Sequence, residues 1–125
     1  MRFQIFSGDT IIGSSDLDRL DPPMGIASGD FLPSENYHMV QPVFQLYAEA
    51  TVNQASQELG LFEQYYRERD NLSLTIRLAS GEIVPVQVVH IQDFSVEFGE
   101  MEVTIATIPD TPTFGQYFEA SAGAA

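Results

Sequence analysis

Three carboxylates near the C-terminal end, Glu97, Glu100 and Glu102, have the spacing that most directly suggests chemistry. They lie in Phe94-Ser95-Val96-Glu97-Phe98-Gly99-Glu100-Met101-Glu102-Val103-Thr104-Ile105, two alternating stretches about a glycine. A two-residue turn at Gly99-Glu100, with glycine first as a type II′ turn requires, pairs Phe98 with Met101 and sets Glu97 opposite Glu102. Opposed carboxylates repel by about 0.2 to 1 kcal/mol on a solvated face, and partial burial raises the pKa of at least one. A basic partner, a cation or an arginine such as Arg77 would relieve that repulsion. The plainer reading is a solvated edge whose charges deter strand addition. A partner-binding surface is the next reading after that edge, and a catalytic pair comes last, since it needs a concave pocket, which a hairpin tip seldom supplies.

Other reactive residues are fewer. Asp16, Asp18, Asp21 and Asp30 begin like a calcium loop, but the sixth and twelfth positions counted from Asp16 hold Asp21 and Ala27 in place of glycine and glutamate. Capping and turn roles fit them better, and no metal is expected. The only histidines, His38 and His90, cannot make a three-histidine zinc site, and neither lies in a His-Glu-x-x-His pattern. His90 lies in the apolar run Val88-Val89-His90-Ile91 and reads as a neutral core residue, whereas His38 reads as exposed. No Gly-x-Ser-x-Gly elbow presents a serine nucleophile. Tyr37, Phe44, Tyr47, Phe62, Tyr65 and Tyr66 recur at helical spacing and read as core. The adjacent Tyr65 and Tyr66 cannot both face inward, which leaves one of them for an interface.

Composition excludes more than any motif suggests. Eighteen acidic residues stand against five basic ones, all arginine, for a net charge of −13. The 11 acids and 4 arginines of residues 1 to 70, and the 7 acids and 1 arginine of residues 71 to 125, show that the excess is no acidic tail. Such charge disfavours phosphate backbones and anionic lipids, so nucleic acid and membrane are not expected partners and a basic protein is. Without cysteine or lysine there is no disulfide, thiolate, Schiff base or P-loop lysine, and the glycine spacing is not that of a dinucleotide-binding turn. No cofactor is expected. The start lacks a sustained apolar stretch and no run of about 18 apolar residues occurs, so the expected location is the cytoplasm.

The elements that must position these residues are read from periodicity. Arg2 to Phe6 and Thr10 to Ile12 form a hairpin about Ser7-Gly8-Asp9. Gly13 to Phe31 is an ordered loop pinned by Leu17, Leu20, Met24, Ile26 and Phe31. A helix follows Pro33-Ser34-Glu35, with Ser34 as N-cap and Pro42 kinking or dividing it near Gln41. A second helix covers about Gln54 to Arg69, with Leu59, Phe62, Tyr65 and Tyr66 inward and Gly60 weakening it. From Leu72 the period becomes two, Ser80-Gly81 turns into Ile83 to Gln92, and Pro85 calls for a bulge or an unpaired side. Pro109-Asp110-Thr111-Pro112-Thr113 ends the last strand, and Phe114, Tyr117 and Phe118 dock a helical turn. The expected fold is one α+β domain over residues 1–125: N-terminal hairpin and ordered loop, one or two helices, then an antiparallel C-terminal meander, with residues 121–125 a mobile tail.

The string Ile12-Gly13-x-Ser15-x-Leu17, Asp21-Pro22-Pro23-Met24-Gly25-x-Ala27-x-Gly29-x-Phe31-x-Pro33 and Tyr37 resembles a signature of small uncharacterised bacterial proteins. The resemblance implies a bacterial cytoplasmic origin and carries no activity. Together these features predict a non-catalytic interaction module, an immunity-type inhibitor or adaptor, whose surface at Glu97, Glu100, Glu102, Tyr65 and Tyr66 meets a basic partner. The rival readings are a small enzyme or ligand-binding protein using carboxylates or a histidine in a pocket between helices and sheet, and a structural subunit of a larger assembly.

Overall fold

A computed structural model describes residues 2–53, 55–96, 98–108 and 112–119, with only the backbone described at 56 and 119. The fold is α+β, but its strands are spread along the whole chain. In order they are β1 (Phe3–Ser7), β2 (Thr10–Ser15), β3 (Arg19–Asp21), β4 (Ile26–Asp30), β5 (Leu32–Pro33), β6 (Leu74–Leu78), β7 (Ile83–Val84), β8 (Val88–Phe94) and β9 (Glu100–Ala106). Helices α1 (Gln41–Val52), α2 (Ser56–Leu59) and α3 (Leu61–Asp70) fall between β5 and β6. Two antiparallel sheets result, ordered β5-β2-β1-β6-β7 and β3-β4-β9-β8.

The expected C-terminal meander is therefore corrected: β6 and β7 pair in the first sheet, β8 and β9 in the second. Proline is the physical reason. The expected single strand from Ile83 to Gln92 breaks at Pro85-Val86-Gln87, because Pro85 has no N–H to continue the ladder, and the chain resumes pairing in the other sheet with Gln87 N donating to Ala106 O at 2.8 Å. The N-terminal hairpin forms as β1 and β2 about Gly8-Asp9, with a bulge where Ile5 opposes Gly13 and Phe6 opposes Ile11.

The ordered loop proves to be largely a second hairpin, β3 and β4, closed by a 3₁₀ turn at Pro22–Met24. Leu17 and Phe31 are buried as expected, whereas Met24 is 58 % exposed and pins nothing. The glycines of the Ile12 to Tyr37 segment have packing reasons. A Cβ at Gly29 would lie 2.7 Å from Ser15 Oγ and 2.8 Å from Leu17 N, and one at Gly13 would lie 2.3 Å from the Phe31 ring. Ser15 is buried and accepts from Leu17 N at 3.1 Å, and this holds Leu17 at φ 45°, a left-handed conformation uncommon outside glycine.

Pro42 does not divide the first helix; it starts it. Proline in the first turn loses no intrahelical bond, so α1 begins at Gln41 after a 3₁₀ turn at Tyr37–Met39. Ser34 is no N-cap: its hydroxyl donates to Ile11 O at 2.9 Å. Gly60, at φ 65°, separates α2 from α3. Of the four residues expected to face inward here, Tyr65 is fully buried, while Leu59 and Tyr66 are 60 % and 46 % exposed.

One core lies between the sheets and under the helices. Phe3, Ile5, Ile12, Ile76 and Val84 of the first sheet meet Ala27, Val89, Ile91, Val103 and Ile105 of the second, and Tyr37, Phe44, Tyr65, Phe114 and Phe118 close it. Helix α1 packs against α3 and against β8, the edge strand of the second sheet. Phe118, in a helical turn at Gly115–Glu119, packs with its ring centre 5.2 Å from that of Phe3 and tilted 32° to it. Among the described residues no helix is long and apolar enough to cross a membrane. The expected break at Pro109-Asp110-Thr111 and the tail at 121–125 lie outside the described residues.

Candidate functional site

The β8–β9 connection is where acidity, exposure and apolar side chains coincide. It is not the two-residue turn the sequence suggests. Glu100 pairs with Phe94 and Glu102 with Gln92, so residues 95–99 form the connection. Three local bonds set this register. Asp93 Oδ1 accepts from Ser95 N at 3.0 Å and from the Ser95 hydroxyl, which closes an Asx turn, and Phe98 N donates to Phe94 O at 2.7 Å. Gly99 ends the loop at φ 71°. Glu97 lies outside the described residues; Glu102, its expected partner, pairs with Gln92 on β8 instead.

Glu102 nevertheless faces a carboxylate. It pairs across β4 with Asp30, and Arg19 relieves the repulsion. Both terminal guanidinium nitrogens of Arg19 lie 3.3 Å from Asp30 Oδ1, and Nη2 donates to Glu102 Oε2 at 2.9 Å. The three side chains remain 49 %, 85 % and 40 % exposed, so the pairing is solvated. An open groove of about 600 Å³ is lined here by Arg19, Asp30, Gly99, Glu100, Met101 and Glu102. Arg77, the expected neutralising residue, lies elsewhere: its guanidinium sits 4.0 Å over the Phe6 ring and 4.0 Å from Asp9 Oδ1.

Beside these carboxylates, Val96 and Phe98 are 76 % and 68 % exposed. The loop that carries them is anchored from below. Asp93 is buried, and its Oδ2 accepts from Tyr37 Oη at 2.8 Å and Gln41 Nε2 at 3.2 Å. Burial alone would raise the Asp93 pKa, but the Ser95 hydroxyl and N–H, Tyr37 and Gln41 outweigh it and hold the carboxyl below its ordinary value.

The remaining candidates separate. Tyr65 is buried and Tyr66 half-exposed, so only Tyr66 presents surface, with the Arg69 guanidinium 5.1 Å over its ring. His90 is half-buried on β8; its Nδ1 lies 2.5 Å from Tyr65 Oη, and its ring meets Tyr47 edge-on at 4.4 Å. Burial, and secondarily the Arg69 charge, lower the His90 pKa to about 4, which keeps the imidazole neutral. His38 is exposed, with Nδ1 2.7 Å from Glu35 O. Asp16, Asp18 and Asp21 are exposed, and the described residues include no cluster of three or more His, Asp or Glu placed to hold a metal ion.

A groove of about 470 Å³ between the end of α3 and strands β6 and β8 is lined by Arg69, Asp70, Ser73, Leu74, Gln87, Val88 and Val89. Neither histidine lines it. Sequence reasoning missed Arg19, Asp30 and Asp93 as members of the acidic site. The Asp93-x-Ser95 spacing was a usable sign of the Asx turn, whereas the contribution of β4 requires a pairing between residues over seventy positions apart. The chain matches no family model, no curated protein and no solved structure.

Proposed function

We propose that the protein is a non-catalytic interaction module that docks a basic protein partner on the β8–β9 end of the second sheet. An immunity-type inhibitor or adaptor of the bacterial cytoplasm fits this role. The observation that carries the reading is the adjacency of Asp30, Glu100 and Glu102, with Arg19 the cation lining their groove, to the exposed Val96 and Phe98. Exposed aromatic and aliphatic side chains framed by charge supply what an interface needs: anchors for affinity, and a field that accelerates encounter and rejects acidic competitors. Tyr65 is withdrawn from the proposed surface by its burial, and Tyr66 lies on α3, outside the groove.

The reading is tested by titrating the labelled protein with a peptide alternating arginine and leucine and following backbone amide shifts. Expected are shifts confined to Asp30 and residues 95 to 102, weaker binding as salt rises, and a further loss in Glu100→Gln and Glu102→Gln. Phe98→Ala separates docking from mere attraction of a polycation, because only docking loses affinity with the ring. Binding indifferent to Phe98→Ala and to both charge removals overturns the proposal.

A further inference from the structure

The outer face of the first sheet carries two rows of residues without a carboxylate, and none of α1, α2 and α3 is packed on it as α1 is on β8. Register places Leu32, Ser14, Gln4, Arg77 and Ile83 in one row across all five strands. The neighbouring row runs Ile11, Phe6, Thr75. Neither row contains any of the 18 acidic residues. Phe6, Ile11, Leu32 and Ile83 stand outside the core cluster, and Leu32 and Ile83 are each 54 % exposed. The rows mix apolar side chains (Leu32, Ile83, Ile11, Phe6) with Ser14, Gln4, Thr75 and Arg77, and a carboxylate-free face with apolar side chains exposed at both edges stands apart on an otherwise acidic molecule.

We infer that this face is an isologous interface with a second copy of the chain. Charge selects the occupant. A basic partner is drawn to the acidic surfaces, whereas two copies at −13 repel wherever carboxylates meet and can approach most closely through their acid-free faces. The face is also self-complementary. Among the described residues of the two rows the cation is Arg77, whose Nε is buried without a hydrogen-bond partner, and at its flank stands the fully exposed Asp9, 4.0 Å away in the loosest of the ion pairs described. Two-fold symmetry lets Arg77 of each copy meet Asp9 of the other, while the two carboxylate-free rows pack as sheet on sheet.

The test is sedimentation equilibrium of the full chain from micromolar to millimolar concentration, at low and high salt. Association should strengthen as salt screens the mutual repulsion, the opposite of the dependence expected for a basic partner at the acidic groove. Ile83→Glu and Leu32→Glu, both at exposed positions and each able to stand in if the other fails to fold, should weaken dimerisation by about tenfold or more. Phe98→Glu should leave it unchanged. A wild-type chain that stays monomeric at millimolar concentration in high salt overturns the inference. So does a dimer that survives both substitutions on the face.

Discussion

Asp93 and Tyr37 meet in the protein interior, where the tyrosine hydroxyl donates to a carboxylate oxygen at 2.8 Å and ties the end of β8 to the turn that leads into α1. Tyr37→Phe keeps the ring against Phe31 and Phe44 but removes that donor. Hydrogen bonds to charged groups contribute about 1.5 to 3 kcal/mol, so urea unfolding should show a loss in that range. Asp93→Ala should cost more, because it also strands Gln41 and opens the Asx turn that sets the β8–β9 register. A Tyr37→Phe variant as stable as the parent would remove Asp93 from the role of anchor.

His90 gives the fold an acid-sensitive step. Its folded pKa, about 4, lies below the ordinary 6.5, so the unfolded chain takes up a proton first as pH falls. Stability contributed by the neutral ring is complete above about pH 6.5 and is lost progressively down to about pH 4, by about 3 kcal/mol at most. Asp93, whose pKa is depressed, acts lower: its contribution is present above the ordinary carboxylate pKa and is lost only as pH falls through the folded value. Unfolding free energies across this range for the parent and His90→Gln should differ in slope between pH 6.5 and 4. Parallel curves would contradict a neutral buried ring.

Local chemistry was legible and long-range pairing was not. The Gly8-Asp9 and Ser80-Gly81 turns, the alternation from Leu74 to Leu78 and the aromatic core of α1 and α3 all follow from short-range pattern. The two sheets do not, because membership depends on where Pro85 sends the chain after β7. The acidic site shows the same division. An opposed carboxylate pair exists at Glu102, but its second member is Asp30, and its cation is Arg19 in place of Arg77. A hairpin drawn from sequence supplies only one neighbour for a strand, and β9 has two.

Gly29 tests whether the resemblance segment is structural. Alanine there would meet Leu17 backbone as well as the Ser15 hydroxyl, and backbone cannot rotate away. Overpacking of this kind costs about 1 to 3 kcal/mol. Ser15→Ala added to Gly29→Ala should not restore stability, since it clears one contact, leaves Leu17, and removes the bond that holds Leu17 in place. Thermal unfolding of Gly29→Ala and of the double variant checks this; full rescue by Ser15→Ala would locate the strain in the hydroxyl alone.

Arg19 separates stability from binding. Its ion pairs are solvated, so Arg19→Ala should change unfolding free energy by less than about 1 kcal/mol. The same substitution takes the formal charge from −13 to −14 and leaves Asp30 and Glu102 opposed with nothing between them. A guanidinium from a basic partner would then find two carboxylates already spaced to receive it, with no internal competitor. Affinity for the arginine-leucine peptide should rise several-fold at low salt, and the gain should shrink as screening increases. Calorimetric titration of parent and variant at two salt concentrations measures this. A weaker complex in Arg19→Ala would mean that Arg19 shapes the surface for its partner and does not compete with it.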